Sequence, residues 1–357
     1  MPAGKMGWFC SYTPLELLRA AGFEHFRVIG HSGPIREADA HVHSATCQYV
    51  RSCIDVLVEG GYDDLVGVVG VNSCDAMRRL LDVWTAVKPG TFSHEVDLPV
   101  GRTDGDVEYL AVQFRKLADH LGEFAGRPVF IDALKRSAAV FERAREAFHR
   151  LSASSSSKPP GASGADLAVL AHQFFFSDPE EWTKRALEKA GKGKSAGDGG
   201  RAPPRLLVAG SPVHDPRVVR LFEDVGFDVV YADFCTGSRF FGVAVDIEAV
   251  DRATDVDSVL RELARAYLNR APCARMMMLD ERAANILAAV RNYGADAVLH
   301  YALKFCDVYQ YDAPALKRRL DEAGVPSLFV EGDGTLGGVE QLKTRLEAFL
   351  EILEGGN

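Results

Sequence analysis

The chain has 357 residues, of which 47% are hydrophobic and 25% are charged, and its formal net charge is −9. This length and composition are typical of a globular protein with two hydrophobic cores. The acidic balance argues against a nucleic-acid partner, since phosphate binding needs a basic face, and no apolar run is long enough to suggest a membrane span.

The N-terminal sequence MPAGKMGWFCSYTP lacks the long apolar stretch of a signal peptide. We therefore expect a cytoplasmic protein. In that compartment its cysteines are expected to be reduced thiols or metal ligands, and not disulfides.

The first hundred residues alternate between helical and strand patterns. We predict helices and strands in the order helix 14–21, strand 26–29, helix 45–59, strand 65–71, helix 75–87 and strand 92–98. The apolar run LVGVVGV at 65–71 is short and rich in β-branched residues, which suits a strand covered on both faces.

The middle of the chain is predicted to be mostly helical, with helices at 106–126, 131–151 and 165–176. Two stretches rich in Ser, Gly and Pro, 152–164 and 191–204, offer few groups that a core can bury. We interpret both as mobile surface loops.

The C-terminal part repeats the alternation, with strands at 205–209, 229–232, 297–301 and 327–331 and helices near 215–225, 257–269, 281–293, 313–323 and 338–353. Strands that alternate with helices form parallel sheets. The predicted fold class is therefore α/β, with two Rossmann-like parallel-sheet domains at 1–102 and 205–357 and a helical connecting segment at 103–204.

Six of the seven cysteines lie where a strand or a loop hands over to a helix: Cys10, Cys47, Cys74, Cys235, Cys273 and Cys306. Open α/β folds bind ligands beyond the carboxyl ends of their strands, so these cysteines are expected to converge. None of them forms a C-x-x-C pair, which disfavours a zinc ribbon or a thioredoxin-type site. Single thiolates from several loops suit an iron–sulfur cluster. The alternative for any one of them is a buried, inert cysteine.

Cys53 is assigned to the hydrophobic core. It follows Cys47 by six positions, which places it well round the same helix.

Arginines and a carboxylate near the cysteines are candidates for substrate chemistry. Arg51, Arg78 and Arg239 each follow a cysteine by four residues, so on a helix each would share a face with its cysteine. They could offset the charge of an anionic cluster or bind a phosphate-bearing substrate; the alternative is an ordinary solvated charge. Glu331 ends a strand at the same edge and could transfer protons, or belong to a plain turn. We predict Glu331 and Arg51 as catalytic residues.

The chain contains no G-x-x-x-x-G-K-[ST] sequence and no G-x-G-x-x-G after a strand. Without a nucleotide-binding motif, any energy input is expected to come from elsewhere.

Six segments, most of them around the cysteines, carry a family resemblance. They are GWFCSYTPLELLRAAGF, CQYVRS, NSCDAMRRLLDVW, FCTGSRFF, LKFCDVYQYDAPALKRRL and VEGDGTLGGVEQLKTRLEAFLE. The chain resembles the 2-hydroxyacyl-CoA dehydratase and benzoyl-CoA reductase family. The resemblance implies two Rossmann-like domains around an oxygen-sensitive iron–sulfur cluster, a separate ATP-hydrolysing iron–sulfur activator that delivers low-potential electrons, and an acyl-CoA substrate. Whether the chain pairs with itself or with a related second subunit stays open.

Within the family, the cysteine count separates two branches. The resemblance to the dehydratases implies one [4Fe–4S] cubane held by three cysteines, which by position are Cys47, Cys74 and Cys306. The further thiols of Cys10, Cys235 and Cys273 resemble those of the double-cubane cluster proteins, in which six cysteines hold two linked cubanes. Six cysteines at element boundaries favour the double-cubane branch.

Three functions follow from these observations. The first is an iron–sulfur enzyme, a dehydratase-like lyase or an ATP-coupled reductase, that transfers low-potential electrons to its substrate; in the single-cubane branch it would be an (R)-2-hydroxyacyl-CoA dehydratase subunit acting through a ketyl radical of the thioester. The second is a non-catalytic iron–sulfur carrier. The third, a zinc-binding scaffold, is disfavoured by the ligand spacing.

Overall fold

The computed structural model describes residues 4–154, 162–190, 202–334 and 339–355. Its strands are β1 (Lys5–Trp8), β2 (Glu24–Arg27), β3 (Leu65–Val71), β4 (Phe92–Val96), β5 (Arg205–Gly210), β6 (Asp228–Asp233), β7 (Ala297–Leu303) and β8 (Ser327–Gly332). They form two four-stranded sheets with the orders β2-β1-β3-β4 and β6-β5-β7-β8. Every pair of neighbouring strands is parallel, which confirms the predicted fold class.

The described helices, in chain order, are α1 (Leu15–Ala21), α2 (Gln48–Val58), α3 (Asp75–Val87), α4 (Asp104–Ala125), α5 (Ile131–Ser154), α6 (Gly164–Phe174), α7 (Pro179–Ala190), α8 (Arg217–Val225), α9 (Ile247–Arg252), α10 (Val256–Asn269), α11 (Leu279–Tyr293), α12 (Asp307–Glu322) and α13 (Val339–Gly355). Capping boxes at Thr103 and Ser163 fix the starts of α4 and α6, because each hydroxyl accepts the amide of the third helical residue.

Helices α7 and α9 were not predicted, and three further differences from the sequence-based prediction lie next to cysteines. Strand β1 was not predicted, because it has only four residues and includes a glycine, yet it pairs with both β2 and β3. Helix α2 begins at Gln48 and not at residue 45, so Cys47 is its N-cap and does not lie in its first turn. Helix α12 begins at Asp307, directly after Cys306, and not at residue 313.

The two predicted surface loops lie largely outside the described residues. Of the stretch 152–164, the described part includes Ser152, which belongs to α5 and is buried, so the loop begins later than predicted. Of the stretch 191–204, only residues 202–204 are described before β5 begins. The mobility of both loops stays a prediction.

Three hydrophobic clusters cover the faces of the two sheets. One face of the first sheet packs Met6 and Trp8 against helices α1, α4 and α5. Its other face shares a cluster with α2, α3 and the second sheet, so that Val68 of β3 and Val208 of β5 belong to one core. The far face of the second sheet packs on α11 and α12 through residues such as Val298.

The helices between β4 and β5 pack on both halves of the chain. Helix α6 lies against α8 and β6, while α4 and α5 contact helices that follow β6, namely α10 and α9. The rings of Phe114 in α4 and Tyr267 in α10 meet edge to face, with centroids 5.8 Å apart. The boundaries 1–102, 103–204 and 205–357 stay a prediction, but the helical layer joins the two sheets into one packed body.

A buried ion pair lies inside this helical layer. Arg145 of α5 donates to Glu16 of α1 at 2.5 Å, and the hydroxyl of Tyr267 donates to the second oxygen of the same carboxylate at 2.8 Å. Glu16 is fully buried and Arg145 is 4% exposed. Charges this deeply buried are stable only as a pair, because each compensates the other's lost hydration.

We predict that Arg145→Met destabilises the protein by about 3–5 kcal/mol, because it leaves the buried Glu16 carboxylate without its cation. Urea denaturation measures the loss. Arg143→Met is the matched control, since Arg143 is 56% exposed and 3.8 Å from its partner Glu180, and it should cost less than about 1 kcal/mol. Equal losses in both variants would contradict the expectation.

His25 makes the fold sensitive to acid. Its Nε2 lies 3.0 Å from the carbonyl oxygen of Phe174, and burial lowers the pKa of His25 to about 4. Because the folded-state pKa lies below the unfolded value of about 6.5, the unfolded chain binds the extra proton first. This contribution to stability is present above about pH 6.5 and is lost as the pH falls towards about 4.

We therefore expect the free energy of unfolding to drop between about pH 6.5 and about pH 4, with His25 contributing on the order of 3 kcal/mol. Urea denaturation at several pH values measures the slope. His25→Gln, which retains a hydrogen-bond donor, should flatten the slope. An unchanged slope in that variant would refute the assignment to His25.

Candidate functional site

Four of the six boundary cysteines lie just beyond the carboxyl ends of strands. Cys10 follows β1, Cys74 follows β3, Cys235 follows β6 and Cys306 follows β7. In both sheets the strand order reverses beside the first strand of the half, β1 or β5, and the crevice at such a switch point is where open α/β sheets bind ligands. Four of the six cysteines are also N-caps, of α2, α3, α12 and the short turn Ala274–Met276.

Cys47, Cys74 and Cys306, the first thiol set, interact electrostatically with one another. Burial raises the pKa of Cys47 well above its ordinary value, and the thiols of Cys306 and Cys74 add to the increase. Burial likewise raises the pKa of Cys74 to about 12, with Cys306 adding to it. Such mutual effects between thiols require that they lie near one another.

Backbone amides at helix starts face the first thiol set. The amide of Val50 opposes the increase in the pKa of Cys47, and the amide of Met77 does so for Cys74. These amides lie at the positive ends of their helices, which favour a negative group. Cys47 and Cys74 therefore each lie beside peptide dipoles.

A local distortion orients Cys306. Phe305 has a φ of 60°, a left-handed conformation that is uncommon for a bulky residue. Gly210 at the end of β5 has a φ of 145°, and a Cβ atom there would lie 1.8 Å from the carbonyl oxygen of Tyr301. Only glycine permits this approach, and it brings the next residue, Ser211, beside Cys306. Burial raises the pKa of Cys306, while the Ser211 hydroxyl lowers it.

Cys10, Cys235 and Cys273 form the second thiol set. Burial raises the pKa of Cys10, and the thiols of Cys273 and Cys235 add to the increase. The two sets adjoin, because Cys74 is also affected by Cys10, and Cys306 by Cys235. Electrostatic effects thus link thiols from both halves of the chain, and their division into two ligand sets stays a prediction.

Aromatic packing positions the loop that carries Cys235. The turn Ser238–Gly242 inserts Phe241 against Phe148, with the rings stacked at 4.0 Å, and against Trp182 at 5.4 Å. Phe240 stacks on Trp8 at 5.5 Å. The Cys235 loop is therefore anchored in the core of the first half of the chain.

Two buried arginines flank the second thiol set. Arg27, 1% exposed, donates to the carbonyl oxygen of Cys235 at 2.5 Å and to its sulfur at 3.4 Å. Arg270, 3% exposed, donates to the carbonyl and hydroxyl oxygens of Ser11, beside Cys10. Within the described ranges, neither guanidinium has a carboxylate partner, and the Nε atoms of both lack a hydrogen-bond acceptor.

The arginines predicted from their spacing to cysteines contact carboxylates. Arg51 donates to both oxygens of Asp39 at 2.9 and 2.8 Å. Arg78 is half exposed and lies 3.9 Å from Glu95. Arg239 is fully buried and pairs with Asp233 at 2.6 Å. The sulfur contact that spacing assigned to Arg239 is made instead by Arg27, from the other half of the chain.

The second predicted catalytic residue, Glu331, lies exposed at the end of β8. It accepts a hydrogen bond of 3.1 Å from Gln310 and lines a cavity of about 300 Å³ together with Lys304, Asp333 and Arg345. The catalytic roles of Glu331 and Arg51 stay predictions.

A buried polar network adjoins the second thiol set, and most of it is not evident from the sequence. Asp233 receives two hydrogen bonds from Arg239, whose guanidinium also donates to the hydroxyl of Tyr309. Arg282 lies 3.7 Å from Asp233 and pairs with Asp312 at 2.7 Å. Although burial opposes ionisation, the two guanidiniums hold the pKa of Asp233 below its usual value.

All seven cysteines are free thiols. In the part of the chain that the structure describes, no three side chains of His, Cys, Asp or Glu are grouped closely enough to hold a single metal ion. Thiolates that share one tetrahedral zinc lie only about 4 Å apart. Among the described helices, none is long and apolar enough to cross a membrane.

The sequence model of one protein family, the 2-hydroxyglutaryl-CoA dehydratase D-component, matches residues 10–353. The chain belongs to this family. The match covers seven of the eight strands and all seven cysteines, and it confirms the family resemblance seen in the sequence.

Similar proteins of this dehydratase family span nearly the whole chain. The lactoyl-CoA dehydratase beta subunit of Anaerotignum propionicum is 24% identical, covering 98% of this chain and 92% of the relative. The (R)-phenyllactyl-CoA dehydratase beta subunit of Clostridium sporogenes is 21% identical, with 96% and 90% covered. A benzoyl-CoA reductase subunit of Thauera aromatica is 22% identical, with 96% and 89% covered. These relatives are subunits of two dehydratases and a reductase.

We predict that Asp233→Asn destabilises the metal-free protein by about 3–5 kcal/mol, because it leaves two buried guanidiniums without sufficient negative charge. Urea denaturation under reducing conditions measures the loss. Asp280→Asn is the control: Asp280 is 78% exposed and pairs with the half-exposed Arg319, so the cost should stay below about 1 kcal/mol. A loss for Asp233→Asn no larger than that of the control would contradict a charge-compensating role.

Proposed function

We propose that this member of the dehydratase family is an iron–sulfur enzyme whose six boundary cysteines hold two linked [4Fe–4S] cubanes. The first thiol set, Cys47, Cys74 and Cys306, would hold one cubane, and the second set, Cys10, Cys235 and Cys273, the other. When bound, such a group supplies electron transfer at low potential to a substrate. The related dehydratase subunits support an enzymatic role within this family.

The single observation that carries this proposal is the pair of uncompensated buried arginines at the second thiol set. Burying a cation without a counter-charge is costly. Arg27 and Arg270 are almost fully buried, contact the loops of Cys235 and Cys10, and meet no carboxylate in the described ranges. An anionic thiolate-bound cluster is a fitting counter-charge for both guanidiniums.

The thiol donors also fit a polynuclear group better than a single ion. Fe–S clusters are bound by thiolates. Because a cluster is larger than a single zinc ion, its thiolate ligands lie farther apart than those of zinc do. The helix N-termini at Cys47, Cys74 and Cys306 favour the negative charge of such a group. The residues present therefore fit an iron–sulfur cofactor.

The chain's own residues would hold the cluster-bearing loops in place and orient the substrate. Arg239 donates to the hydroxyl of Tyr309, and both groups interact electrostatically with Cys273. Arg27 joins the end of β2 to the Cys235 loop. Glu331 is proposed to move protons at the strand edge, and Arg51 to orient an acyl-CoA substrate if it is released from Asp39. The proposed partners are an ATP-hydrolysing iron–sulfur activator and either a second copy of the chain or a related subunit, and the proposed compartment is the cytoplasm.

The second candidate is a single-cubane (R)-2-hydroxyacyl-CoA dehydratase subunit. Its support is the similarity to beta subunits of dehydratases over nearly the full chain. In that case the second thiol set would be structural. A non-catalytic iron–sulfur carrier is distinguished from both enzymes by substrate-dependent oxidation of the reduced cluster.

Cysteine-to-alanine variants separate these candidates. We expect anaerobically reconstituted wild-type protein to bind about eight iron atoms per chain, as two cubanes require. Cys235→Ala should lower the iron content and abolish the spectrum of a linked cluster. Cys53→Ala is the control, since Cys53 is fully buried in the core and faces the carbonyl oxygen of Val28; it should lose modest stability but no iron. Wild-type iron content and spectrum in Cys235→Ala would return the chain to the single-cubane candidate.

A further inference from the structure

The two thiol sets have different electrostatic surroundings. Peptide amides at helix starts face the first set, Cys47, Cys74 and Cys306. Full guanidinium charges flank the second set, Cys10, Cys235 and Cys273. The dipole of a helix is equivalent to about half a positive charge at its N-terminus, whereas a guanidinium carries a whole one.

The guanidinium of Arg27 faces Cys235 from the other half of the chain. Its Cζ lies 4.7 Å from the ring centroid of Trp8 and 4.7 Å from that of Phe175, two rings that meet each other edge to face. The guanidinium donates hydrogen bonds to the carbonyl oxygen and to the sulfur of Cys235, at 2.5 and 3.4 Å. Because the aromatic rings exclude water, the charge of Arg27 acts on that sulfur with little screening.

Arg270 supplies a buried positive charge near Cys10 and Cys273, as Arg27 does near Cys235. It lies three residues before Cys273, with its Cζ 3.8 Å from the centroid of the Tyr12 ring. It donates to the hydroxyl oxygen of Ser11 at 2.8 Å and to the carbonyl oxygen of Ser11 at 3.0 Å. Its charge interacts with the thiols of both cysteines.

The arginines that follow the first thiol set along the described chain already face carboxylates. Arg51 and Arg78, which follow Cys47 and Cys74, lie within salt-bridge distance of Asp39 and Glu95. A cation that already faces a carboxylate adds little net charge to its surroundings. The second set is therefore the more electropositive of the two.

We propose that Arg27 and Arg270 are positioning residues that make the group held by Cys10, Cys235 and Cys273 easier to reduce than the group held by Cys47, Cys74 and Cys306. This inference rests on the proposed function. Reduction adds one electron from an external one-electron donor and changes no bond, so the oxidised donor balances the step. A fixed guanidinium stabilises the added negative charge more than a dipole does.

The test compares Arg27→Met, Arg27→Lys and Arg270→Met in full-length, anaerobically reconstituted protein. Each is titrated with titanium(III) citrate while electron paramagnetic resonance and visible absorption record the midpoint potential. We expect Arg27→Met and Arg270→Met to shift the higher midpoint potential to a more negative value. Arg27→Lys retains the charge and should stay near wild type. Arg143→Met, which removes an exposed charge from α5, should leave both potentials unchanged.

A second measurement separates this role from a structural one. In metal-free protein Arg27 is a buried cation that faces no carboxylate among the described residues, so Arg27→Met should leave the thermal midpoint equal to or above that of wild type. A clear loss of metal-free stability without a change of potential would overturn the proposal, because it would make Arg27 a structural contact between the two halves. Iron loss in Arg27→Met but not in Arg27→Lys supports a charge role, whereas iron loss in both overturns it.

The outcomes also separate this inference from the proposed function. Absence of iron from the wild-type protein, or wild-type iron and spectrum in Cys235→Ala, would refute the two-cubane function before any arginine variant is considered. A full iron content with unchanged potentials in Arg27→Met and Arg270→Met would refute only the role of the arginines.

Discussion

A buried cation needs a counter-charge, and this constraint governs the centre of the molecule. Three buried arginines meet it within the described residues: Arg145 with Glu16, Arg239 with Asp233 and Arg282 with Asp312. Arg27 and Arg270 do not, and both contact loops that carry thiols. The surroundings of the second thiol set therefore carry positive charge that no described carboxylate offsets. The positive charge around the thiols therefore increases from Cys47, which lies beside peptide dipoles, to Cys235, which faces a whole guanidinium charge.

The parallel sheets make this arrangement possible. Both halves use the same strand order, so each presents its strand carboxyl ends along one edge, and short loops there lead directly into helices. Cys74 and Cys306 exploit the same position in the two halves, directly before the helix that follows the third strand of each half. A shared core between the sheets holds the edges together. The positions of the thiols therefore follow from the topology, and their chemical difference comes from residues outside the motifs.

The sequence predicted local features well and long-range pairings poorly. Strand β3 and helix α3 match their predicted bounds, because LVGVVGV and DAMRRLLDVW have clear periodicity. The boundary cysteines were recognised by their positions before helices. Arg27 was not recognised, since its partner Cys235 lies 208 residues away. Spacing instead indicated Arg239, whose own carboxylate, Asp233, precedes it by six residues. A local pattern can show which element a residue begins or ends, but not which distant charge faces it.

Each half of the chain contributes helices that pack on the other half. Helix α10, which lies between two strands of the second sheet, packs on α4 beside the first sheet, and α6 packs on the second sheet although it precedes β5. Each half therefore completes the apolar surface of the other. Gene fusion or domain shuffling could not exchange one half alone without exposing these surfaces. Inheritance as an undivided unit agrees with relatives that align from one end of the chain to the other.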